Sequence, residues 1–186
     1  MSGYCKKAPG HPVHHAYHEW EYGFPLTNER ALFERLALEI FQAGLSWEIV
    51  LKKRKETAKA FHRFQVDKVA NYRAADVKRL LKNPGIIRNR LKIKAIVENA
   101  RRIKQMRKSH GGLAGFVATH HPLPKKEWVK LFKKHFLFTG GEIVGEFLMS
   151  IGYLPGSHAP HCPVYKRLKK DYALPWLKAQ KKGFKY

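Results

Sequence analysis

The sequence predicts an all-α protein folded as one compact domain over residues 1–186. Apolar residues recur three and four apart along most of the chain, and capping residues stand directly before those runs. No two alternating β-branched segments flank a hairpin turn, so a sheet has no support. Hydrophobic residues make up 44% of the chain and aromatics 12%, enough apolar surface to build a core and too much for a disordered chain.

Taken in order, Asn28 caps a helix whose Leu32, Phe33, Leu36, Ile40 and Phe41 share a face, with a stop near Gly44. Ser46 caps a second helix that begins at Trp47 and presents Val50 and Leu51. Basic helices are expected over 57–64 and 75–81. Asn83, Pro84 and Gly85 interrupt the pattern. A long helix resumes it from 88 to about 107, with Ile93, Ile96, Val97 and Ala100 along one side and Gly111-Gly112 ending it. Two further helices fit 125–135 and 142–151, and the basic tail 166–186 is expected to be partly ordered.

Charge is distributed unevenly. The chain carries 37 Lys and Arg against 14 Asp and Glu, a formal +23. Residues 1–50 hold four basic and six acidic side chains, whereas 51–186 hold 33 basic and 8 acidic. Such an excess points to a polyanionic partner, nucleic acid before a membrane surface. No apolar run approaches the roughly 20 residues of a spanning helix, and the N-terminus lacks a signal-peptide core, so a soluble, cytoplasmic protein is expected.

In 80–90, a Pro-Gly turn stands between two helices and leaves backbone N–H groups at the next helix start able to hold a phosphate. Arg88, Arg90, Lys92 and Lys94 add charge there, while Ile86 and Ile87 pack the turn. An ordinary helix connection with a solvated basic face would read the same way. Cys5 and His18 lie thirteen residues apart, and His158-x-x-x-Cys162 supplies a second thiol–imidazole pair. Two thiolates and two imidazoles complete a closed tetrahedral zinc site that clips the N-terminal segment to the C-terminal one. His11, His14, His15 and His161 are rival ligands, and two unrelated cysteines remain the plain alternative.

The stretch Ala16-Tyr17-His18-Glu19-Trp20-Glu21-Tyr22-Gly23, the block Gln42-Ala43-Gly44-Leu45-Ser46-Trp47 and the set Cys5, His18, His158 and Cys162 closely resemble the DNA-3-methyladenine glycosylase I family. The resemblance continues through Gly85-Ile86-Ile87-Arg88, Lys92-Ile93, Phe138, Gly140, Phe147 and Gly152. It implies a helix-hairpin-helix glycosylase fold with one structural Zn2+ on Cys5, His18, His158 and Cys162. It also implies a monomeric, monofunctional bacterial repair enzyme, associated with the nucleoid through its DNA. Such an enzyme flips an alkylated base out of double-stranded DNA and hydrolyses its glycosidic bond. Glu39 would be the catalytic carboxylate, facing a flat cationic base enclosed by Tyr17 and Trp47, with Tyr22 and His14 as further base-binding residues. Gln42, Gly44 and Leu45, on the turn beside Trp47, would fill the gap left by the flipped base, with a core position as the plain alternative for Leu45. The turn Gly85, Ile86, Ile87, with Arg88, Arg90 and Lys92, would hold the backbone.

Some positions depart from the family. Lys6 and Lys7 follow Cys5 where an aromatic is usual, Tyr22 replaces Trp, His14 replaces Tyr, and Glu142 and Gly145 stand near a missing Thr and Tyr. The expected aromatic cage is therefore thin, with Trp20 as a candidate replacement. Between Gly85 and Lys126 the only acid is Glu98, so Glu39 is expected to be the one carboxylate near the base. A damaged-DNA-binding module of the same fold with little turnover is the alternative function. A basic interaction protein without a base pocket is the third, and it leaves Glu39 and the Cys/His set unexplained.

Overall fold

The computed structural model describes residues 3–186, and every regular element among them is helical. In chain order these are α1 (Tyr4–Lys7), α2 (His15–Trp20), α3 (Glu29–Gln42), α4 (Trp47–Ala60), α5 (Val66–Ala70), α6 (Ala74–Lys82), α7 (Arg90–His110), α8 (Leu113–His120), α9 (Lys125–His135), α10 (Gly141–Ser150), α11 (Pro163–Asp171) and α12 (Pro175–Lys181). None is long and apolar enough to cross a membrane.

Local chemistry sets the ends that matter for function. Asn28 Oδ1 accepts from Ala31 N at 3.1 Å, and Ser46 Oγ from Ile49 N at 3.4 Å. These caps start α3 and α4 and leave the exposed turn Gly44-Leu45 between them. Gly44 adopts φ +77°, a conformation that costs a side-chain-bearing residue about 1–2 kcal/mol. The apolar faces of α3, α7, α8, α9 and α10 meet in one core around Phe33, Phe41, Ile96, Phe116, Trp128 and Phe147. A smaller cluster gathers Phe24, Val164, Leu168 and Trp176 around Cys162.

The structure corrects several expected elements. The helix expected over 57–64 is the end of α4 followed by a left-handed turn, His62–Phe64, with φ of 50°, 53° and 55°. Phe61 and Phe64 stack 5.5 Å apart with neither exposed, and that burial offsets the unfavourable backbone. The short helices α1, α2, α5 and α8 were not foreseen. The tail is ordered as α11 and α12, held by Leu168, Leu174 and Trp176.

Candidate active site

A cavity of about 220 Å³ opens between α1, α2, α3 and α10, lined by Tyr4, Tyr17, Tyr22, Glu39, Gln42, Trp47 and Glu146. Tyr17 and Trp47 meet edge to face at 5.1 Å, and Tyr22 lies 5.7 Å from Tyr17 and 5.8 Å from Tyr4. Glu39 projects from the apolar side of α3 and is only 3% exposed. Among the described residues its carboxyl makes no hydrogen bond or ion pair, although burying an unpaired carboxylate is costly. Burial, with Glu146 next in effect, pushes the Glu39 carboxyl up to about 8 against some help from Arg35. Burial likewise raises all three phenols, which stay neutral.

Arg35 holds the floor. Its Nη1 donates to Tyr17 Oη at 3.0 Å, and its Nη2 to Glu21 Oε2 at 3.1 Å, while Arg54 pairs with both Glu21 and Glu34 at 2.7 Å. These bonds fix the Tyr17 ring. Glu146, from α10, accepts from Tyr22 Oη at 2.8 Å, so Glu39 is not the lone carboxylate of the cavity.

The expected residues divide. Tyr17, Tyr22, Glu39 and Trp47 converge. His14 does not line the cavity: it stands behind Tyr4, with its Nδ1 3.4 Å from Tyr4 Oη. Trp20 is 65% exposed under Arg167 and replaces no ring. Tyr4 takes that part, and its place directly before Cys5 was the available signal. On α10, Glu142 faces solvent beside Lys125, Gly145 packs under the Lys125 stem, and Glu146 turns inward.

Cys5, His18, His158 and Cys162 come together, with their ligand atoms all within 4.8 Å of one another. The Cys5 Sγ–His158 Nδ1, Cys162 Sγ–His158 Nδ1 and Cys162 Sγ–His18 Nε2 distances are each 3.7 Å. A tetrahedral metal on thiolate and imidazole separates S and N by about 3.6 Å, so these four residues fit one ion. The outer ring nitrogens are also engaged: His18 Nδ1 meets Glu19 Oε1, and His158 Nε2 meets the Tyr22 carbonyl, both at 2.7 Å. Burial lowers the His158 imidazole to about 4, leaving it neutral, as ligation requires. The cluster and the cavity share their supports. Tyr4 adjoins Cys5, Tyr17 adjoins His18, and Tyr22 is bonded to His158.

The turn between α6 and α7 differs in detail from expectation. Gly85 N donates to Asn83 Oδ1 at 2.8 Å and Ile86 N to the Asn83 carbonyl at 3.4 Å, so neither is left for a phosphate. Ile86 is buried and Ile87 partly so, as packing residues, while Arg88 and Arg90 are exposed. Lys92 is a correction. Only 4% exposed, it turns inward and donates to the carbonyls of Phe41, at 2.9 Å, and Ala43, closing the C-terminus of α3. Lys92→Met should therefore cost about 1–3 kcal/mol of stability, read by denaturant titration, and leave the salt dependence of DNA binding unchanged. A lowered slope would return Lys92 to the phosphates.

A wider groove of about 650 Å³, lined by Tyr72, Val77, Leu91 and Phe138, is the rival cavity. Its acid, Glu98, is already paired with Arg101 and Arg102 at 3.2 Å.

Residues 6–131 match the family model described as methyladenine glycosylase. The chain belongs to that family. The chain is 38% identical to DNA-3-methyladenine glycosylase 1 of Escherichia coli K12, over 83% of its own length and 92% of the relative. It is 34% identical to the DNA-3-methyladenine glycosylase of Haemophilus influenzae, over 88% and 98%. Among solved structures, 3-methyladenine DNA glycosylase I superposes with a TM-score of 0.77 at 36% identity, covering 86% of this chain and 97% of that one. A substituted form in complex with 3-methyladenine gives 0.77 at 30% identity, covering 86% and 96%.

Proposed function

We propose that this protein flips damaged nucleotides from double-stranded DNA and hydrolytically releases 3-methyladenine, as a monofunctional base-excision repair enzyme of the helix-hairpin-helix type. The observation that carries this is Glu39: a buried carboxyl without a partner, inside an aromatic cavity of purine size, on a chain of formal charge +23. A flat organic cation completes that arrangement. Two curated relatives carry the name of this activity.

Adenine methylated at N3 in DNA is such a cation. Trp47 and Tyr17 offer it their π faces, worth on the order of 0.5–2 kcal/mol per ring as water is excluded. Its charge favours the ionised form of Glu39, which accepts hydrogen bonds from the exocyclic amine. The C1′–N9 bond breaks with its electron pair entering the ring, so the base leaves neutral and water takes C1′. Selection and electrostatic stabilisation supply the catalysis, in keeping with Glu98 being tied to two arginines. Unmodified adenine has no formal charge and gains little from the same groups.

One Zn2+ fits Cys5, His18, His158 and Cys162, supplying cohesion rather than chemistry, since all four positions are filled by protein and three of the ligands are buried. Backbone grip falls to Arg88, Arg90 and the free N–H groups of Ile87 and Arg88, while the exposed Gly44-Leu45 turn faces the gap left by the flipped nucleotide. The protein works as a monomer on DNA at the bacterial nucleoid, with cavity, cluster and basic flank complete within one chain. Arg88→Ala should reduce the salt dependence of DNA binding by about one phosphate contact, and an unchanged slope would reject that contact. The activity itself is tested by incubating the protein with methylated duplex DNA and separating the released bases by chromatography. Release of 3-methyladenine is expected. Tight binding with no alkylated base released would leave only a damaged-DNA-binding module.

A further inference from the structure

The release of a cation described above gives Glu146 no assigned part, yet it shares the cavity with Glu39. Two carboxyls in so small a space resist carrying charge together, and their environments separate them. Burial, with Glu142, raises the Glu146 carboxyl too, but the bond it accepts from the Tyr22 hydroxyl, and Lys125 beyond it, favour its ionised form. Glu39 has no such donor. The cation facing it, Arg35, is committed to Tyr17 Oη and Glu21, and the Tyr4 and Tyr17 hydroxyls are neutral. A proton retained by the pair therefore resides on Glu39, the carboxyl aimed into the empty space.

We propose that Glu146 acts as a positioning residue that keeps Glu39 protonated, and that the pair gives the cavity a second substrate class: uncharged damaged purines, which depart only after protonation of a ring nitrogen. The proposal rests on the same cavity being the base pocket. In the step, the Glu39 O–H bond breaks as an N–H bond forms on the flipped purine. The C1′–N9 bond then cleaves with its electron pair entering the ring, which leaves neutral. Water bonds to C1′, and the proton it sheds returns to the Glu39 carboxylate. Normal purines stay paired in the duplex, whereas a deaminated, mispaired purine costs less to extrude, so selection begins before the cavity. The raised Glu39 carboxyl, at about 8, agrees with an acid still loaded at neutral pH.

The test uses the full chain and a duplex oligonucleotide with one hypoxanthine opposite thymine, beside a methylated duplex. Hypoxanthine release is expected, falling about tenfold per pH unit above about 8. Glu146→Gln should move that falling limb down by about one unit or more, whereas Glu146→Asp, which keeps the charge, should leave it within about half a unit. A merely structural role would lower both rates without moving the limb, and that result overturns the part given to Glu146. No hypoxanthine release at any pH, from a preparation that releases 3-methyladenine, overturns the second substrate class. A preparation that releases neither base overturns the glycosylase reading and this proposal with it.

Discussion

Glu39→Gln should slow release of 3-methyladenine by about 10²–10³-fold while making the protein more stable at alkaline pH. The two effects have one origin. In the folded protein the Glu39 carboxyl sits at about 8, against an ordinary 4.5, because burial and Glu146 disfavour its charge. Between those values the folded state holds a proton that the unfolded state has lost, so stability falls as pH rises through this window. Below about 4.5 both states are protonated and no cost exists, while above about 8 the cost is complete. The amide variant escapes it. Its gain should be absent in acid, grow through neutrality and level off on the order of 2–4 kcal/mol, visible as a rise of several degrees in Tm. DNA affinity, carried mainly by phosphate contacts, should change little. Equal losses of affinity and release, or a variant less stable at every pH, would make Glu39 a structural residue.

Removal of the metal should be as damaging to base release by a different route. Purified protein should hold about one equivalent of zinc per chain. A chelator, or Cys162→Ala, should cut release by about 10²-fold or more and expose 3–23 to protease, because Tyr4, Tyr17 and Tyr22 all hang on the cluster. The α6–α7 turn lies elsewhere and is held by Ile86 in the main core, so salt-dependent DNA binding should persist. A metal-free protein that is fully folded and active would refute the site.

Where local chemistry decides structure, the sequence was legible. Asn28 and Ser46 announced α3 and α4 because a cap acts within three residues, and Gly111 ended α7 with φ +71° as a glycine after a helix should. The left-handed His62–Phe64 turn was not legible. Nothing within those residues favours it, and only burial of Phe61 and Phe64 in the finished core sustains it. Helices α1 and α2 are short and polar, and they depend on the Cys/His cluster rather than on periodicity.

The site follows the same division. Glu39 stood out as an acid among apolar neighbours on one helix. Glu146 did not, because Glu142 four residues earlier makes the pair resemble a solvated face, and only the packing of α10 against α3 turns one inward and leaves the other out. Lys92 was misjudged for a related reason. In a run of cations its charge looked external, and its partners, Phe41 and Ala43, lie about fifty residues away in sequence.

The most direct measurement is a crystal structure of the protein with free 3-methyladenine. The base should lie in the cavity against Trp47 and Tyr17 with its exocyclic amine on the Glu39 carboxyl. A base seated instead in the groove of Leu91 and Phe138, or a saturating soak that leaves the Glu39 cavity empty, would contradict the account.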